Sequence, residues 1–177
     1  MNLSPGDPGS TSALGGALLT QAGRLADHVH DLTEAAARAT RRGDGSRAPS
    51  PRAPDVSRTD PTSRERELVT RVATELDRIG GLLQSWTTTA VESAARVRAL
   101  EPDLARGDLV VDGHVVVERA GPSAVEPGSR LAERERLQEL LNRVTAVRSR
   151  ELARLRRELD ASTASLASIS DRARRGP

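Results

Sequence analysis

The chain has 177 residues, and its 27 basic and 25 acidic side chains leave a formal net charge of only +2. It has no Cys, Tyr or Phe and a single Trp. These residues therefore offer no disulfide, no thiolate nucleophile, no Cys-ligated metal and no aromatic-rich core. Every basic residue is Arg. With abundant Ala, Gly and Pro, that bias points to a high-GC genome, so the missing Lys, Phe and Tyr say little about function. Hydrophobic content of 36% beside 29% charged residues suits narrow helix–helix seams better than a wide core. No run of about 18 apolar residues exists, so no membrane-spanning helix is expected. The first residues lack a basic stretch followed by an apolar one, and no cleavable signal peptide is expected.

Residues 1–42 read as an N-terminal amphipathic helix behind a turn-like leader. Ser10, Thr11 or Ser12 can cap it by accepting an orphan backbone N–H bond. Leu18, Ala22, Leu25, Val29, Leu32, Ala36 and Ala39 then recur at spacings of four and three, which places them on one stripe. Arg41-Arg42-Gly43 supplies a C-terminal signal. Residues 43–62 are rich in Pro, Gly and Ser, lack periodicity, and read as a flexible linker.

Residues 63–176 read as a helical hairpin. Ser63 opens its first helix. Val69, Val72, Leu76, Ile79, Leu83, Trp86, Ala90, Ser93, Val97, Leu100 and Leu104 keep heptad phase, and Pro102 kinks or ends the helix near Glu101. Two glycines, Gly80 and Gly81, cost the helix about 2 kcal/mol relative to alanine, and the run Thr87-Thr88-Thr89 adds a smaller penalty. Either Gly80 lets another helix approach closely, or the segment hinges near Trp86. Two β-branched runs then flank Asp112-Gly113 and predict a β-hairpin over 109–117 with a type I′ turn. The last helix is expected over 129–173. Leu137, Leu141 and Val144 are in phase, Arg148 takes a core position, and Leu152, Leu155, Leu159, Leu166 and Ile169 resume after a stutter.

The fold class that follows is mainly α: a long antiparallel, coiled-coil-like helical hairpin with a small β-hairpin at its tip and an additional N-terminal helix. Leu68, Leu82, Leu140 and Val147 widen the apolar stripe at the end away from that tip. Either the N-terminal helix covers them or they meet another chain. The candidate packing and interaction residues are Trp86, Leu83, Ile79, Gly80, Leu82, Leu140, Val147, Val115 and Val117.

Chemistry-bearing patterns are sparse. In Asp27-His28-Val29-His30-Asp31 the two histidines fall on nearly opposite helix faces and cannot share an ion. Neither a metal site nor a cofactor is expected. Arg148, Arg150, Arg154, Arg156 and Arg157 form the densest basic stretch, but Glu151 and Glu158 interleave with them and no aromatic platform is present. A salt-bridged surface fits better than nucleic-acid binding. No G-x-S-x-G, H-E-x-x-H or phosphate-binding loop is found, and no enzyme or small-molecule substrate is expected.

The Gly6-Asp7-Pro8 lead into an Ala/Leu helix, residues 73–86 (ATELDRIGGLLQSW) and residues 109–118 (LVVDGHVVVE) together resemble WXG100-like helical proteins associated with type VII (ESX-like) secretion in high-GC Gram-positive bacteria. The resemblance implies a non-enzymatic helical module that binds protein partners and is exported without a cleavable signal. The sequence departs from the family pattern at Thr88, where W-x-G would place glycine, and the absence of Tyr removes the export signal built on it. The general helical pattern alone is carried over. The expected function is thus a protein–protein interaction module. The alternatives are a cytoplasmic scaffolding coiled coil that self-associates and, more weakly supported, an Arg-rich nucleic-acid binder.

Overall fold

A computed structural model describes residues 8–43 and 61–175. The linker expected over 43–62 therefore lies, at 44–60, outside the described residues. Elements follow in the order α1 (Pro8–Gly43), α2 (Pro61–Arg98), α3 (Glu101–Arg106), β1 (Leu109–Asp112), β2 (Val115–Glu118) and α4 (Pro127–Arg174). The fold is mainly α, with one two-stranded antiparallel sheet. The chain divides into two compact units, one containing residues 83–157 with the start of α1, the other residues 13–82 and 158–177.

Several helix starts differ from the sequence expectation, each for a local reason. α1 and α2 begin at Pro8 and Pro61, since proline lacks the N–H that a first turn leaves orphaned and its φ is already helical. Ser12 and Ser63 are consequently not caps. Ser12 instead reaches Gln84: the Gln84 side-chain amide donates to the Ser12 carbonyl at 2.8 Å, and the Ser12 hydroxyl donates back at 3.3 Å. α4 starts at Pro127, and Glu126 caps it by accepting the Ser129 N–H at 2.7 Å. Hydrogen bonds from the Ser129 and Gly128 backbone hold the Glu126 carboxyl below its ordinary range.

α2 is continuous through Trp86, with no helix break there. The Thr87, Thr88 and Thr89 hydroxyls each donate to the carbonyl one turn back, at 2.9, 3.1 and 3.2 Å. That pattern lets a β-branched polar run sit inside a helix. The expected break falls later. α2 ends at Arg98, two turn residues intervene, and Pro102 lies in the first turn of α3.

In the unit of residues 13–82 and 158–177, α1 packs on α2. Gly80 is buried, and a Cβ there would lie 2.7 Å from Leu19 Cγ and 3.0 Å from the Gly15 carbonyl oxygen. Gly80 thus permits the close approach, and α1 covers α2 as a third helix. Ala22 and Ala73 are buried in this unit, as are Ser162 and Ile169 on α4. Small side chains let helix axes come near each other. Arg64 donates to the Arg172 carbonyl at 3.2 Å and Arg78 pairs with Glu158, so α2 and α4 run antiparallel here.

In the other unit, α3, the β-hairpin and the first half of α4 share a core of Leu104, Leu109, Val116, Leu137 and Leu141. Burying each such side chain stabilises by about 1.5–3 kcal/mol, which is what a two-stranded sheet needs to persist in water. Leu140 packs against this core. It therefore lies at the hairpin end, contrary to its expected place away from the tip, because its neighbours Leu137 and Leu141 point into the hairpin.

The hairpin turn also corrects the expectation. Asp112 pairs with Val115, so Gly113 and His114 form the two-residue loop. Gly113 has φ +61° and His114 is not among the residues of positive φ. One positive φ, at the first loop position, fits a type II′ turn; type I′ needs two. The strand entry is fixed at Asp108, whose φ of 53° is left-handed. Asp tolerates that conformation through local hydrogen bonding, and here its carboxylate accepts the Ser123 hydroxyl. Its carbonyl accepts the Arg119 N–H at 2.8 Å, extending the ladder.

Candidate interaction surface

The β-hairpin is apolar on both faces. Leu109, Val111 and Val116 point into the core, so strand alternation turns Val110, Val115 and Val117 outward. Their register agrees, with Val110 opposite Val117 and Asp112 opposite Val115. Val110 and Val117 are half-buried, and Val115 is 54% exposed. A solvated face of an antiparallel pair ordinarily alternates to polar residues. This one carries valine at three of its positions.

Beside that face, β2 and α4 enclose a shallow groove of about 680 Å³, lined by Val115, Val117, Glu118, Arg134, Glu135, Gln138, Glu139 and Asn142. Gln138 organises it. Its side-chain oxygen accepts the Val116 N–H at 2.7 Å, and its amide donates to the His114 carbonyl at 3.0 Å and to Asn142 at 2.8 Å. The outer edge of β2 is thereby tied to α4, which protects part of it from pairing with another strand. Arg130 pairs with Glu118 at 3.3 Å and fixes the far end of the strand. Sequence reasoning missed Gln138. The only available signal was its position between the in-phase residues Leu137 and Leu141.

A second polar network ties α3 to α4. Arg136 donates to Asp103 at 2.6 Å and to Glu133 at 2.8 Å. The Arg136 hydrogen bonds hold both carboxyls below their ordinary range, and the same bonds raise the guanidinium further.

The remaining candidate residues are spread along the helices. Leu83 is buried; Ile79, Leu82, Trp86 and Val147 are half-buried. Trp86 does not fill the seam as a fully enclosed side chain. The Arg148 guanidinium sits over its ring, 6.0 Å from the centroid, at the outer limit of a cation–π contact. Arg148 is half-buried with its charged end against the indole face, which is how an arginine is accommodated at a core position. Arg150, Arg154 and Arg157 are exposed, and Arg154 approaches Glu151 at 3.9 Å.

His28 and His30 are exposed on α1, and His30 lies 3.5 Å from Glu34 one turn on. Among the described residues no three His, Asp or Glu side chains gather closely enough to hold a metal ion. No described helix is long and apolar enough to cross a membrane. No protein-family model, no curated protein and no solved structure matches the chain.

Proposed function

We propose that the chain is a non-enzymatic helical module that binds a protein partner through the outer face of its β-hairpin and the adjoining groove. The observation that carries this reading is the exposed Val115 on a strand face whose neighbours Val110 and Val117 are also valine. Keeping apolar side chains in water has no benefit for a lone module, whereas an apolar centre rimmed by charged groups suits a protein contact. Glu118, Arg134, Glu135 and Glu139 supply that rim.

The class of partner rests on the sequence resemblance. It is a component or co-substrate of a type VII-like secretion system, and the chain travels with it or docks to it. Two measurements test the proposal. Val115→Asp keeps its circular dichroism spectrum but loses partner retention in affinity capture from the native cell; undiminished retention contradicts the contact surface. Comparing culture supernatant with cell pellet, with and without the secretion ATPase, tests the export assignment. Strict retention in the pellet in both cases contradicts it.

A further inference from the structure

The outward face of α4 carries a charge pattern that the core does not use and that runs on past the groove beside the valine face. Helical spacing places Glu135, Glu139, Asn142, Ala146, Arg150, Ala153 and Arg157 on one stripe. All seven are exposed. The stripe is acidic at its N-terminal end, small and uncharged in the middle, and basic at its C-terminal end. Among the described residues, Glu135, Arg150 and Arg157 form no ion pair. Glu139 is held by Arg143, and Arg154, flanking the stripe, only reaches Glu151 at 3.9 Å.

We infer that this stripe binds a second copy of the same chain, α4 against α4 in antiparallel orientation about a two-fold axis near Ala146. In that register Glu135 faces Arg157 of the second copy, Asn142 faces Arg150, and Glu139 faces the Ala153–Arg154 step. The two-fold axis makes each contact occur twice. Ala146 and Ala153 let the helix axes approach at the crossing. A parallel pairing sets Glu135 on Glu135 and Arg157 on Arg157, and like charges exclude it. A polyanion such as nucleic acid suits only the basic half and is repelled by Glu135 and Glu139. The self-complementary order of charges therefore selects a second copy as occupant.

This deepens the interaction-module reading and rests on it only in taking the chain as a protein binder; its N-terminal part, Glu135, Glu139 and Asn142, also lines the groove, and its basic end, Arg150 and Arg157, lies outside it. Sedimentation equilibrium of the full chain across micromolar concentrations tests it. The expected result is a reversible dimer whose dissociation constant rises roughly tenfold or more between low salt and about 0.5 M salt. Two variants carry the decisive arm: Glu135→Arg with Glu139→Arg gives an all-basic stripe, and Arg150→Glu with Arg157→Glu gives an acidic one. Each is expected to be monomeric alone, with an unchanged circular dichroism spectrum, and to form a heterodimer when the two are mixed. A monomeric wild type, variants that dimerise as well as wild type, or a mixture that fails to pair each overturns the proposal. Arg150 and Arg157 do not line the groove, so Arg150→Glu with Arg157→Glu is expected to lose self-association and keep partner capture, whereas Val115→Asp loses capture and keeps the dimer; the two readings therefore fail separately.

Discussion

At Gly80 the missing side chain is what allows α1 to rest on α2, while Gly81, one residue on, faces open space. The two glycines are equivalent in helix propensity and opposite in packing. Gly81→Ala is expected to stabilise the protein by about 0.5–1 kcal/mol through reduced backbone freedom. Gly80→Ala gains the same propensity but drives a methyl group into Leu19 and the Gly15 carbonyl oxygen, an overpacking that costs about 1–3 kcal/mol. Urea unfolding of both variants distinguishes the roles: Gly81→Ala rises above wild type and Gly80→Ala falls below it. Equal gains from both substitutions contradict the close approach. The sequence marked Gly80 as either a hinge or a contact, and spacing within α2 held no information to choose. The answer depends on Gly15 and Leu19, which lie about sixty residues earlier in the chain.

At the scale of elements, periodicity carried most of the reading. Every position from Val69 to Leu104 assigned to the seam is at least half-buried. Ser162, fully buried between the in-phase Leu159 and Leu166, gives no apolar signal at its position. Caps and turns were less legible. Glu126 is not a favoured cap residue by type, and the hairpin turn slipped by one residue because both Asp112-Gly113 and Gly113-His114 are acceptable loop pairs.

The joint between α3 and α4 makes an electrostatic prediction of its own. Arg136 lowers the pKa of Asp103 and Glu133 in the folded state. Their contribution is therefore fully present above the unfolded carboxyl range of about 4 and is lost as pH falls through the depressed folded values. Arg136→Met removes this linkage while leaving the Glu126 cap in both proteins. Urea midpoints measured as pH is lowered from neutrality should fall less steeply for the variant than for wild type. Parallel curves contradict the network.

For the molecule as a whole, fold class was readable because heptad phase and a hairpin signal each point to one kind of element. The contact surface was only half readable. Val115 and Val117 could be named from strand alternation, but the groove needs α4 beside β2, and Gln138 provides that link through long-range hydrogen bonds. The proposed partner site is the valine face, bordered by this groove. A photo-cross-linking residue placed at position 115, and separately at the exposed Asp160 on α4, tests it most directly in the native cell. The account predicts a discrete adduct from position 115 that excess unlabelled wild-type protein suppresses, and none from position 160. No adduct at 115, or the same adducts from both positions, would contradict it.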